Sequence, residues 1–358
     1  MSRALQELYA LIDPVDLSLR VQADMHLDSL AKPPGSLGRL ETLAARLFCI
    51  GGGGIPLRVD PAVIFTVAGD HGVTAEGVNL YPQSVTRQMV RNFLRGGAAI
   101  NALSQVASAA LFVVDAGCVG GPFEEHPQLI SVRIGNGTAN IAAGPAMSLE
   151  DCAQAVLAGA DIAAKAAGMG YRCIGIGEMG IANSTVAAAL CCAYFELAPE
   201  EMTGPGAGTP PAGLGHKIRV VRRSLESNKS AVASRDPLTI LAALGGFEIA
   251  VMAGVMLGAA RHRIPVAVDG FISTAALAAA ENLCPLVAGY CILAHVSAEP
   301  GHVNMVQRLH AQTPLLDLHM RLGEGTGSAL AIVLLRAAAA VYNDMTTLED
   351  TGAHGQHA

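Results

Sequence analysis

Glycine-flanked carboxylates and one lysine behind a glycine-rich loop are the residues best placed to do chemistry. The segment Cys173-Ile174-Gly175-Ile176-Gly177-Glu178-Met179-Gly180-Ile181-Ala182-Asn183-Ser184-Thr185 reads as a strand, a tight turn and a helix start. Such a turn offers free backbone N–H groups to an anion, and glycine lets a phosphate approach closely. Gly175, Gly177 and Gly180 also satisfy G-x-G-x-x-G, so an NAD-dependent oxidoreductase is one alternative. Against it, Glu178 inside the turn repels a pyrophosphate but suits a ribose hydroxyl or a cationic ring. The next acids, Glu196 and Glu200, also fall at a helix end rather than a strand end. A turn chosen only for packing is a third alternative.

Two further segments carry the same ambiguity. Gly204-Pro205-Gly206-Ala207-Gly208-Thr209-Pro210-Pro211 precedes a helix bearing His216 and Lys217. A loop with a lysine behind it can close over a phosphate, and a solvated surface crossover explains it equally. In Leu322-Gly323-Glu324-Gly325-Thr326-Gly327-Ser328, Glu324 can serve as a general base with room for a substrate beside it. The alternative is a helix cap by Thr326 or Ser328, with Glu324 exposed. Asp70, His71, Asp269 and His302 read as ordering residues of post-strand turns, and no metal site is expected. Walker A, H-E-x-x-H and G-x-S-x-G sequences are absent, which takes most of the weight from P-loop ATPase, zincin and serine hydrolase readings.

These segments need a scaffold that brings them together. Short apolar runs at 62–68, 110–114, 173–176, 266–268 and 291–296 each end in glycine or a polar cluster. They alternate with helical patterns at 151–168, 184–196, 216–227, 248–263, 274–283 and 328–342, after two helices at 16–30 and 36–49. Continuous apolar strands alternating with helices predict an α/β fold, a doubly wound, Rossmann-like parallel sheet covered on both faces. Its ligand site then lies beyond the carboxyl ends of the strands, where the polar turns fall.

Composition bounds the rest. The 358 residues hold 23 Lys and Arg against 30 Asp and Glu, a net charge of −7 that argues against nucleic-acid binding. Mean hydropathy is +0.41. Its source is small residues, since there are 40 glycines, no Trp and only 4% aromatics. The longest apolar stretch is expected at 249–260, about twelve residues, short of the roughly 18 to 20 that span a bilayer. The N-terminal residues lack a signal-peptide core, so a cytoplasmic protein is expected. The eight cysteines form no C-x-x-C pair and are expected to be buried free thiols. The tail 351–358 is expected to be disordered.

Taken in order, Lys32-Pro33-Pro34-Gly35-Ser36-Leu37-Gly38-Arg39-Leu40-Glu41, Gly69-Asp70-His71-Gly72-Val73, Gly96-Gly97-Ala98-Ala99-Ile100-Asn101, Gly177-Glu178-Met179-Gly180-Ile181, Asp269-Gly270-Phe271 and Leu322-Gly323-Glu324-Gly325 resemble the nicotinate-nucleotide–dimethylbenzimidazole phosphoribosyltransferase family. The resemblance implies transfer of the phosphoribosyl group of nicotinate mononucleotide to 5,6-dimethylbenzimidazole or a related base, giving α-ribazole 5′-phosphate and nicotinate for the nucleotide loop of cobalamin. By the same resemblance Glu324 is the general base, and Glu178, counted with it as catalytic, holds the ribose and phosphate together with the turn from Gly175 to Thr185. Gly175, Gly177, Met179, Gly180, Ile181, Asn183, Ser184, Gly206, Gly208 and Lys217 hold the nucleotide and its phosphate. Tyr81, Pro82, Gln83, Ser84, Arg91, Leu322 and Gly323 wall the base pocket. It implies no metal and no cofactor, a homodimer, a large catalytic domain over 55–300 and a small helical domain from 1–50 and 301–350.

Overall fold

The computed structural model describes residues 3–206, 208, 210–310 and 313–352. Three helices open the chain: α1 (Arg3–Ala10), α2 (Arg20–Ser29) and α3 (Arg39–Ile50). Strand β1 (Ala62–Gly69) follows, and α4 (Ser84–Leu94) and α5 (Ala99–Val106) cross over to β2 (Ala110–Gly117). Next come β3 (Leu129–Ser131), α6 (Leu149–Gly168) and β4 (Cys173–Met179). Between β4 and β5 (Val266–Val268) lie α7 (Asn183–Phe195), α8 (Pro199–Met202), α9 (Pro211–Ser227), α10 (Lys229–Ser234), α11 (Pro237–Leu244) and α12 (Phe247–Arg261). α13 (Phe271–Leu283), β6 (Cys291–Leu293), α14 (Gly301–Val306) and α15 (Thr326–Asp344) complete the fold.

The strands pair in parallel in the order β3-β2-β1-β4-β5-β6. The chain winds outward one way from β1 and then restarts on the other side at β4, which is the doubly wound arrangement. Every residue of β1 is buried, as a strand covered on both faces requires. Val63, Phe65 and Val67 join one core with α6, α7, α12 and α13. Ala62, Ile64 and Ala68, on alternate positions, join a second core with α2, α3 and α15.

The small-residue composition acts at helix contacts. A Cβ on Gly159 of α6 would stand 2.0 Å from the Val251 carbonyl oxygen, and one on Gly254 of α12 would stand 1.9 Å from that of Val156. The two backbones therefore touch directly where larger residues would hold them apart. All eight cysteines are buried and free.

The structure also holds elements that the sequence pattern does not announce, the short helices α1, α5, α8, α10, α11 and α14 among them. The edge strand β3 is only three residues long and has no apolar run to announce it. Helix α4 is not among the expected helices because its sequence is mixed, yet Thr86, Val90 and Phe93 bury one face at helical spacing. The 19-residue α15, expected at 328–342 and interrupted by Arg336, is among the described residues long and apolar enough to cross a membrane. More than half of its apolar window, 56%, is buried inside the protein. Thr351 and Gly352 form a turn, and the rest of the tail expected to be disordered lies outside the described residues.

Candidate active site

The carboxyl ends of β1, β4 and β5 meet on one segment, Gly323 to Ser328. Thr66 Oγ1 of β1 donates to the Glu324 carbonyl at 2.7 Å. The Asp269 carboxylate, just past β5, accepts from the amides of Gly325 at 2.9 Å and Gly327 at 2.7 Å. Ser328 Oγ lies 2.8 Å from the carbonyls of both Ile176 and Ala267. An acid from a neighbouring strand thus caps α15 and faces the positive end of its dipole. Neither Thr326 nor Ser328 is the cap, since Thr326 Oγ1 donates to the Gly323 carbonyl. Glu324 is 5% exposed, so the exposed-cap alternative fails.

Gly177 makes this junction possible. A Cβ there would stand 1.9 Å from the Gly325 nitrogen. Gly323, Glu324 and Gly325 all have positive φ, of 86°, 65° and 94°. The strain of holding a glutamate in this region is tolerated because the carbonyl and amide of Glu324 are both hydrogen-bonded, the amide to the Glu178 carbonyl at 3.1 Å.

A cavity of about 520 Å³ opens at the switch between β1 and β4, within the usual range of roughly 300 to 1,000 Å³ for a ligand site. Glu178, Met179, Gly180, Ile181, Asn183, Ser184, Gly206, Lys217, Tyr81, Leu322 and Gly323 line it. Gly175 and Gly177 do not, because both lie inside β4 and press on α15. Gly208, Pro82, Gln83, Ser84 and Arg91 are also outside the lining. Gln83 Nε2 donates to the His71 carbonyl at 3.2 Å, and Arg91 is exposed in the last turn of α4. Glu324, the expected general base, is outside the lining as well: its carboxylate turns toward α5, where its Oε2 accepts from the Ile100 amide at 3.3 Å.

A buried cation is part of the cavity lining. Lys217 Nζ donates to Ser184 Oγ at 2.9 Å and to the Gly204 carbonyl at 2.8 Å. Burial pulls its pKa down to about 8, and the charge of Glu299 opposes that shift. Glu178, also in the lining, accepts from Asn183 Nδ2. Burial, then Asp269 and Glu248, push its pKa well above the ordinary carboxylic range. The pKa of Glu324 is raised too, by burial and by Asp269, with the Ile100 amide opposing. Ser297, Glu299, His295, Phe271 and Arg321 also line the cavity, and none of them is among the expected site residues. The polar cluster directly after β6 is the sequence signal for His295, Ser297 and Glu299, and Phe271 closes the Asp269-Gly270-Phe271 motif after β5. No group of three or more metal-ligating side chains occurs among the described residues.

A family model described as "Phosphoribosyltransferase" matches residues 12–353. The chain belongs to this family. A nicotinate-nucleotide–dimethylbenzimidazole phosphoribosyltransferase of Nitratidesulfovibrio vulgaris (strain DP4) is 58% identical over 352 residues, covering 98% of each chain. One of the same name from Chlorobaculum tepidum is 46% identical over 357 residues, covering 100% of both. The crystal structure of CobT from Thermus thermophilus superposes with a TM-score of 0.88 at 41% identity, over 94% of this chain and 99% of that one. These matches give the oxidoreductase alternative for the Gly175–Gly177–Gly180 pattern no support. Its first two glycines are consumed in strand-to-helix packing, so they cannot cradle a pyrophosphate.

Proposed function

We propose that this chain transfers the phosphoribosyl group of nicotinate mononucleotide to 5,6-dimethylbenzimidazole or a related base, giving nicotinate and α-ribazole 5′-phosphate in cobalamin biosynthesis. The observation that carries this reading is the pairing of buried Lys217 with the buried acid Glu178 in the cavity lining, with buried Glu324 directly after the lining residue Gly323. A phosphate suits the cation, and a pyridinium sugar suits the acids.

Nicotinate departs from a cationic ring, so the departure needs no proton donor. Positive charge develops on the ribose as that bond lengthens, and the surrounding carboxyl groups stabilise it. The imine nitrogen of the incoming base attacks from the opposite face and inverts the anomeric carbon. Its other ring N–H becomes acidic in the adduct and gives its proton to Glu324. Ile100 holds Oε2 of Glu324 and leaves Oε1 for that proton. Burial strengthens the carboxylate as a base. Leu322 and Tyr81, both largely exposed apolar groups at the cavity, supply surface for a flat ring.

The enzyme works as a cytoplasmic homodimer, with the body of residues 55–300 as its catalytic domain and the two chain ends as a small helical domain. The two chain ends meet where α2 and α3 pack with α15, in a core they share with one face of the sheet, and light scattering of the purified protein tests the dimer. The function is tested by supplying nicotinate mononucleotide with a panel of benzimidazoles and phenols. Stoichiometric nicotinate release with formation of an α-nucleotide is expected, and no product with any base overturns the proposal.

A further inference from the structure

We infer that Glu299 accepts hydrogen bonds from the ribose hydroxyls of the nucleotide and makes the site selective for an intact ribose. This inference rests on the function proposed above and adds a residue to it.

Glu299 is 4% exposed, lines the cavity, and neither of its carboxylate oxygens has a hydrogen-bond partner among the described residues. Its neighbours do not relieve it. Lys217 spends two donors on Ser184 and Gly204, and the Gly204 backbone passes so close that a Cβ there would stand 2.2 Å from Glu299 Oε2. Burying a carboxylate without donors is costly, so an unpaired acceptor on a buried residue that lines a cavity points to donors that arrive with a ligand.

The turn that carries Glu299 is rigidly specified. Thr274 Oγ1 donates to the Gly270 carbonyl at 2.8 Å, which makes it the acceptor in its 3.0 Å contact with His302 Nε2. His302 Nδ1 is then free to accept from the Ser297 amide at 3.0 Å. That assignment is a neutral Nε2–H imidazole, in keeping with burial that drives the His302 pKa down to about 3. The Glu299 amide reaches Ser297 Oγ at 3.3 Å, and the Glu299 carbonyl accepts from the His302 amide at 3.0 Å. A loop held at this many points does not leave its carboxylate unpaired by accident of mobility.

The chemistry of the nucleotide selects the donor. Nicotinate mononucleotide has an anionic phosphate, an anionic ring carboxylate and a quaternary ring nitrogen, none of which donates at neutral pH. Its only donors are the 2′ and 3′ hydroxyls of the ribose. The phosphate at Lys217 lies a few bonds from those hydroxyls, and the anionic groups themselves are repelled by Glu299. A site built to bond a substrate hydroxyl rejects the analogue lacking it, because its own buried group is then left unpaired.

The experiment measures kcat/KM for nicotinate mononucleotide and its 2′-deoxy and 3′-deoxy analogues on the wild-type enzyme and on Glu299→Gln. The wild type is expected to disfavour at least one deoxy analogue by about 10²-fold or more. Glu299→Gln is expected to lose activity on the intact nucleotide and, with it, most of that discrimination. Equal wild-type rates with all three nucleotides overturn the inference whatever the variant does. So does a variant that loses the same factor on all three while its alkaline limb moves below that of the wild type, since Glu299 then acts only by keeping Lys217 charged. A wild type that releases no nicotinate from the intact nucleotide overturns the proposed function itself.

Discussion

The amide of Glu324 donates to the carbonyl of Glu178 at 3.1 Å, so the two acids proposed to act on one substrate are joined backbone to backbone. This bond extends β4 sideways by a single link to a segment more than a hundred residues later in the chain. Thr66 and Asp269 fasten the same segment from the strands on either side. The spacing of the acids is therefore a property of the sheet ends, and it does not depend on side-chain rotamers alone.

Gly177→Ala tests that junction. The added methyl meets the Gly325 backbone, which cannot move without displacing Glu324. A loss of about 1 to 3 kcal/mol or more is expected, seen as a fall in Tm together with lost turnover. Gly168→Ala, at the end of α6 with nothing within 4 Å of its added Cβ, should leave both intact.

Lys217→Met removes the buried charge proposed to hold the phosphate. Hydrogen bonds to charged groups are worth about 1.5 to 3 kcal/mol, so KM for the nucleotide should rise roughly 10- to 100-fold with a smaller change in kcat. Steady-state kinetics with varied nucleotide checks the split.

The pH profile of kcat/KM should be bell-shaped. Glu324 must be ionised to accept a proton, and its raised pKa places the acid limb above the ordinary carboxylate range. Lys217 must be protonated to hold phosphate, so activity falls again as pH rises through about 8. Lys217→Met should lose the alkaline limb and keep the acid one.

Behind the Gly180 turn, His71 Nε2 and Glu248 Oε1 lie 2.9 Å apart and fully buried, close enough for an ion pair though out of line for a hydrogen bond. Burial pulls the His71 pKa down, but Glu248 and then Asp70 more than reverse this, leaving it raised above 6.5. A raised folded-state pKa stabilises the protein fully below the unfolded value and loses that contribution as pH rises through the folded one. Denaturant titrations between about pH 6 and 9 should show this decline. Glu248→Gln should flatten it and cost about 3 to 5 kcal/mol at the low end of that range.

Much of this architecture was legible because parallel strands buried on both faces must be apolar throughout. The strands β1, β2, β4, β5 and β6 all fall on such runs. Where polar residues continue a strand the run ends early, and Gly177, Glu178 and Met179 still pair with Thr66, Val67 and Ala68 beyond the expected end of β4. Gln83, Ser84 and Arg91 were expected at the base pocket and stand outside the cavity, since α4 turns Thr86, Val90 and Phe93 inward and Arg91 outward. Glu299 and Ser297 have no spacing that marks them, and only the packing of the β6 end beside β5 carries them into the site.

Transfer of the proton of the incoming base to Glu324 is the step on which the proposed mechanism turns. Glu324→Gln should bind nicotinate mononucleotide as the wild type does, measured by calorimetry, because Lys217 and Glu178 remain. The same preparation should lose about 10²- to 10⁴-fold in kcat, the usual contribution of a positioned general base. Wild-type turnover by this variant would contradict that step and reduce Glu324 to a structural residue of the α15 start.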